Sequence, residues 1–180
     1  MERTERFAEV LYKLDRQACA ELRRSLSFQP GTYPRAYPYV EPFINRTTDR
    51  HWFYLVAGLF ALSQQGSAPG VLPSNGGTDR GMSLGKAAAR LYAERESSPS
   101  IEHRFIALLD ADSEQLPHRL RQMVSLLRAE ELALDWGRLL DDLLGWEHEQ
   151  RYVQQRWARE FYRASQPTGI GPGAQRGSEE

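Results

Sequence analysis

The chain has 180 residues and a formal net charge of −1, with 24 acidic against 23 basic side chains. That balance excludes a uniformly basic nucleic-acid binder, and 41% hydrophobic residues exclude global disorder. The longest apolar stretch, Trp52 to Leu62, is about half of the roughly 20 residues a membrane span needs, so none is expected.

The opening MERTERFAEV is charged where a secretory signal needs an apolar region, which predicts a cytoplasmic protein. Arg6 to Leu26 is predicted as one amphipathic helix with Phe7, Val10, Leu11, Leu14, Ala18 and Leu22 sharing one face. Lys13, Arg16, Ala20, Arg23 and Arg24 fall on the opposite side. The arginines at its end either complement the helix dipole or form a basic contact stripe. The lone Cys19 excludes an internal disulfide and a cysteine-type zinc site, and is expected as a small buried residue. Phe28 to Pro42 carries four prolines, which predicts an irregular connector whose Tyr33, Tyr37 and Tyr39 pack onto the core.

Asp49 is the predicted N-cap of a helix to Leu62, apolar on nearly every side and so the central core helix. Gln64 to Gly81 is a Gly/Ser/Pro-rich loop, long enough to be either functional or disordered. Ser83 caps a helix to Arg95, and Ser100 the next, with Ile101, Phe105, Leu108 and Leu109 buried. Pro117 suits the first turn of a helix through Arg128. Asp135 caps one ending near Gly145, and a last helix is expected from Glu147 to Arg163 with Val153, Trp157 and Phe161 buried. Residues 164–180 are predicted to be a disordered tail. No alternating Val/Ile/Thr-rich run suggests a strand, so the fold class is all-α.

Chemistry is sparse. In GMSLGKAA the two glycines stand one residue too close for a phosphate-binding loop, and Ala87 replaces the metal-binding hydroxyl. His51, His103, His118 and His148 are scattered, without metal-ligand spacing. Asp110, Asp112, Glu114, Asp141 and Asp142 read as caps or solvated groups. No catalytic residue, metal or cofactor is therefore expected.

Arginine is the unusual feature. Lys13 and Lys86 are the only lysines; the other 21 basic residues are arginine, whose planar fork suits phosphate and stacks on bases. A GC-rich genome or a thermophilic source gives the same bias, so it points to function only where the arginines cluster. Arg119, Arg121 and Arg128 share one predicted helix, Arg121 and Arg128 on one side of it. The last predicted helix carries Arg151, Arg156, Arg159 and Arg163, the final three on a common face. Such patches either contact a nucleic-acid backbone or are solvated faces paired to acids.

In order, LYKLDR…ELRRSL, WFYLVAGLFAL, SLGKAAARL, IEHRFIALLDADSEQLPHRLRQMVSLLR and LDWGRLLDDLLGWEHEQRYVQQRWAREFYR resemble the CasB family, the small subunit of the type I-E CRISPR surveillance complex Cascade. The resemblance spans about residues 5–163. It implies an all-helical bundle in two small lobes, 1–95 (with the 64–81 loop) and 96–163. It also implies a non-enzymatic role in antiviral defence: pairing with a second copy, beside the large subunit and backbone proteins, to stabilise guide RNA and the target-DNA R-loop. Arg24, Arg104, Arg119 and Arg121 are the leading contacts by this resemblance, followed by Arg151, Arg156 and Arg159; clustering adds Arg128. His103 stands where a second basic residue is expected. Two other readings remain open: a helical protein–protein adaptor without nucleic-acid contact, and a small hydrolase using a carboxylate or His148.

Overall fold

A helix apolar on every side has to be surrounded, and in the computed structural model the helices that begin at Arg16, Tyr37, Leu116 and Trp136 pack round the helix that carries the Trp52–Leu62 run. The structure describes residues 2–66 and 81–165. Among these the helices are α1 (Glu2–Tyr12), α2 (Arg16–Ser25), α3 (Tyr37–Val40), α4 (Arg50–Ser63), α5 (Leu84–Glu94), α6 (Pro99–Leu109), α7 (Leu116–Ala129), α8 (Trp136–Leu144) and α9 (Tyr152–Ala164), with short 3₁₀ turns between Pro34 and Asp49 and no strand. The fold is all-α, and among the described residues no helix is long and apolar enough to cross a membrane. The cores of the predicted 64–81 loop and of the tail, residues 67–80 and 166–180, lie outside the described residues.

Every residue from Trp52 to Leu62 is buried. Helices α2, α7 and α8 pack on α4, while α5 packs on α9, α6 and α7. Contacts cross the boundary expected at residues 95 and 96: α1 lies on α8, α5 on α9, and the buried apolar side chains form one connected cluster. Tyr33, Tyr37 and Tyr39 are half-buried against that cluster, as the connector reading expects.

Several boundaries differ from the sequence reading. The single helix predicted over Arg6–Leu26 is two, because the Asp15 carboxylate accepts the Ala18 N–H at 2.7 Å and starts a new helix. The apolar spacing runs through the break, since α1 and α2 bury their faces in the same core. Asp49 occupies the N-cap position of α4 without capping it; its carboxylate takes Arg3 instead, at 2.9 Å. Helix α6 starts at Pro99 with Ser98 as N-cap, so Ser100 lies inside it. Residues 147–151 precede α9, because Arg151 is left-handed at φ 48° and breaks any helix there. Cys19 and Leu109 are half-buried rather than buried. Ser83 and Asp135 cap as expected, accepting the N–H groups of Lys86 (3.2 Å) and Arg138 (2.9 Å).

Helix α7 ends in a Schellman turn, with Leu132 N–H on Leu127 O (2.9 Å) and Glu131 N–H on Arg128 O (3.0 Å). Its left-handed residue is Glu131, φ 54°, where glycine would carry no Cβ strain. Glu131→Gly is expected to raise stability by about 0.5–1 kcal/mol. A melting temperature that fails to rise in thermal denaturation would refute this.

Candidate nucleic-acid interface

Helix geometry decides which arginines can act together. On α7, Leu116, Leu120, Met123, Val124 and Leu127 form the buried ridge. At about 100° per residue, Arg119 and Arg121 project on opposite flanks of that ridge, and Arg128 falls on the Arg121 side. Arg119 is half-buried and Arg121 exposed. Arg104 lies exposed on α6 between exposed His103 and buried Phe105. On α9, Arg156, Arg159 and Arg163 line one flank, and the last two are exposed. The side chains of Arg104, Arg119, Arg121, Arg159 and Arg163 form no hydrogen bond or ion pair among the described residues.

The remaining predicted contacts have partners within the fold. Arg128 reaches the C-terminus of α4, donating to Leu62 O (3.4 Å) and Gln65 Oε1 (3.0 Å). Arg151 donates to Leu109 O at 2.6 Å, at the C-terminus of α6. Arg151 therefore satisfies a carbonyl that a helix end leaves open, whereas Leu62 O already accepts the Gln65 N–H at 3.2 Å. Arg24 is exposed and lies 3.8 Å from Glu21, which Arg35 also approaches, at 3.5 Å. Arg35 was not among the sequence candidates; it sits in the proline connector, where no helical spacing marks a face.

Arg156 is tied deepest. It pairs with Asp142, whose side chain is 5% exposed and which also accepts Trp157 Nε1–H at 2.6 Å. Burial raises the Asp142 pKa, and the bonds from Trp157 and Arg156 only partly oppose it. Arg156 Nε stays buried without a partner. A second network joins α8 and α9 to the start of α5: Ser83 donates to Glu160, and Arg138 bridges Glu160 (3.2 Å) and Gly81 O (3.0 Å).

Several of the carboxylates considered for chemistry are engaged within the fold. Asp112 accepts the N–H groups of Glu114 (3.1 Å) and Gln115 (2.8 Å) beside α7, and Asp141 accepts Thr4 Oγ1–H (2.9 Å). His148 is exposed, its Nδ1 3.2 Å from the Gln150 N–H. No cluster of three or more potential metal ligands occurs among the described residues. In the GMSLGKAA tract Ser83 caps a helix, Lys86 is exposed, and Gly85 faces α9, where a Cβ would lie 2.7 Å from the Trp157 backbone.

The family described as CRISPR-associated protein Cse2 matches residues 18–162. The chain belongs to the Cse2 family. A Cse2 protein from Thermus thermophilus is 45% identical over 170 residues, covering 89% of this chain and 90% of the relative. The solved CasB of M. ruber superposes with a TM-score of 0.74 at 40% identity, over 89% of this chain and 93% of the other. A chain from a solved CRISPR RNA-guided surveillance complex superposes at 0.73 with 25% identity, over 91% and 94%. The span matched to Cse2 begins within α2 and ends in the last turn of α9, so it includes all eight arginines named from the sequence as contacts.

Proposed function

We propose that this chain is the non-catalytic small subunit of a type I-E CRISPR RNA-guided surveillance complex, Cascade, acting in the cytoplasm in antiviral defence. It would sit as one of a pair beside the large subunit and the backbone proteins, stabilising guide RNA and the target-DNA R-loop. The observation that carries this is the set of arginines on α6, α7 and α9 whose side chains have no partner among the described residues (Arg104, Arg119, Arg121, Arg159). In a fold that gives Arg50, Arg128, Arg138, Arg151 and Arg156 internal partners, free guanidinium groups on three elements suit phosphate. The guide reads sequence by base pairing, so this subunit needs backbone contacts and shape alone. Membership of Cse2, with one solved relative inside a surveillance complex, supports the assembly.

The test is reconstitution. The chain should co-purify with the large and backbone subunits and guide RNA; its exclusion from them would overturn the reading. Arg104→Ala, Arg119→Ala and Arg121→Ala together should loosen R-loop retention about tenfold or more at physiological salt and flatten its salt dependence. Each change should move stability by no more than about 0.5 kcal/mol, because these side chains have no partner among the described residues to lose. The internal partners of Arg128, Arg151 and Arg156 favour a second reading, a protein–protein adaptor. Under it, retention of the triple variant in the complex would be insensitive to salt and to nuclease.

A further inference from the structure

The exposed face at the end of α2 carries a feature that the arginine patches do not include. Gln29-Pro30-Gly31-Thr32 is a tight turn, with Thr32 N–H on Gln29 O at 3.1 Å and Gly31 at φ +84°. Proline followed by glycine at the central positions is the type II pattern. Arg50 pins the turn to α4 through Gly31 O at 2.6 Å and leaves no room for a Cβ on Gly31. Reversal at the turn brings Phe28 and Tyr33 together, their rings stacked at 4.9 Å and 22°. Tyr33 is held in turn by its hydroxyl, which donates to Glu21 at 2.6 Å.

Phe28 is thus fixed on Tyr33 yet 49% exposed, the most exposed large apolar side chain among the described residues. Two cationic side chains meet the carboxylate that holds Tyr33. Arg24 and Arg35, 60% and 69% exposed, share the one carboxylate of Glu21. The Tyr33 hydroxyl, and then the two arginines, hold that carboxyl below its usual range, so it stays ionised at neutral pH and leaves one positive charge uncompensated. A flat ring already held in place, beside a surplus guanidinium, complements a base face with its phosphate.

We propose that Phe28, backed by Tyr33 and flanked by Arg24 and Arg35, is a stacking platform for an unpaired base of single-stranded nucleic acid. It rests on the nucleic-acid reading above and adds to it a contact that phosphate binding alone does not supply. Stacking on an immobilised ring costs little side-chain entropy and reads no sequence.

The test measures binding of the full chain to a dT25 strand across a salt series. Phe28→Ala should weaken binding about tenfold without changing the salt slope, whereas Arg24→Ala with Arg35→Ala should flatten the slope. Phe28→Leu, apolar but without a π-face, should bind as poorly as Phe28→Ala, and Phe28→Trp should restore wild-type binding. Wild-type affinity in Phe28→Leu overturns the platform. So does unchanged binding by Phe28→Ala while the Arg104, Arg119 and Arg121 triple variant loses it; that result leaves the broader function standing. Failure of the wild-type chain to bind the strand overturns the platform and leaves membership of the complex to the reconstitution. Loss of a protein subunit from the complex in Phe28→Ala, with strand affinity intact, reassigns Phe28 to a protein contact and overturns the platform.

Discussion

Arg156→Ala is expected to cost about 3 kcal/mol of stability at neutral pH, lowering the melting temperature by roughly 6–12 °C. The change leaves the Asp142 carboxylate, 5% exposed, with Trp157 Nε1–H as its one remaining hydrogen-bond donor among the described residues. Removing one member of a buried pair strands the other charge, which is why the loss exceeds what an exposed pair would give. The Arg156 side chain is itself 35% exposed, which places the figure at the low end for buried pairs. The pH dependence identifies the cause. Burial raises the Asp142 pKa above its ordinary 3.8, so over a window above 3.8 the folded chain holds a proton the unfolded chain has released. This group therefore favours folding below the window, and that contribution is lost as pH rises through it. Removing Arg156 pushes the pKa further up, so the deficit relative to wild type should shrink as pH falls toward about 4. Asp142→Ala should show no such recovery. A deficit in Arg156→Ala that is constant with pH would sink the explanation. Loss of complex assembly in Arg156→Ala would then report a broken α8–α9 junction rather than a lost phosphate contact.

Gly85→Ala should destabilise by a similar amount, about 3 kcal/mol, at the top of the usual range for overpacking. The added methyl group would lie 2.7 Å from both the Cα and the carbonyl oxygen of Trp157 and 2.9 Å from a Glu160 carboxylate oxygen. Two of these atoms are backbone, so relief requires α5 and α9 to separate rather than a rotamer to change. Separation would also disturb the Ser83–Glu160 and Arg138–Glu160 bonds. Lys86→Ala, one residue on and exposed, should stay within about 0.5 kcal/mol of wild type. Near-native melting of Gly85→Ala would mean that the helix pair has slack. Because Arg159 and Arg163 ride on α9, Gly85→Ala should also weaken nucleic-acid retention without altering any arginine.

These two residues mark where legibility in the sequence ends. Gly85 is visible within GMSLGKAA, but its spacing there speaks only to phosphate binding; its partner, Trp157, is far along the chain. Features set by neighbouring residues are readable: the apolar run of α4, the caps at Ser83 and Asp135, and proline in the first turn of α7. The break between α1 and α2 is not, because a shared core continues the apolar spacing across Asp15. The arginines divide in the same way. Helical spacing places Arg121 and Arg159 on exposed faces, but it also promotes Arg128 and Arg151, whose carbonyl partners are 66 and 42 residues away. Exposure follows from local periodicity, whereas a partner follows from topology.

Topology also orders the birth of the molecule. Helix α1 lies on α8, and Thr4 bonds Asp141 across 137 residues of sequence. At roughly 5–20 residues per second, a ribosome needs about 7–30 s to deliver that partner after Thr4 has been made. Phe7 can meet Phe53 early, their rings 5.0 Å apart in the finished fold, but the face of α1 that belongs to α8 stays uncovered until translation is nearly done. A nascent chain stalled before Trp136 would carry that apolar face into solvent, marking it for a chaperone or a protease.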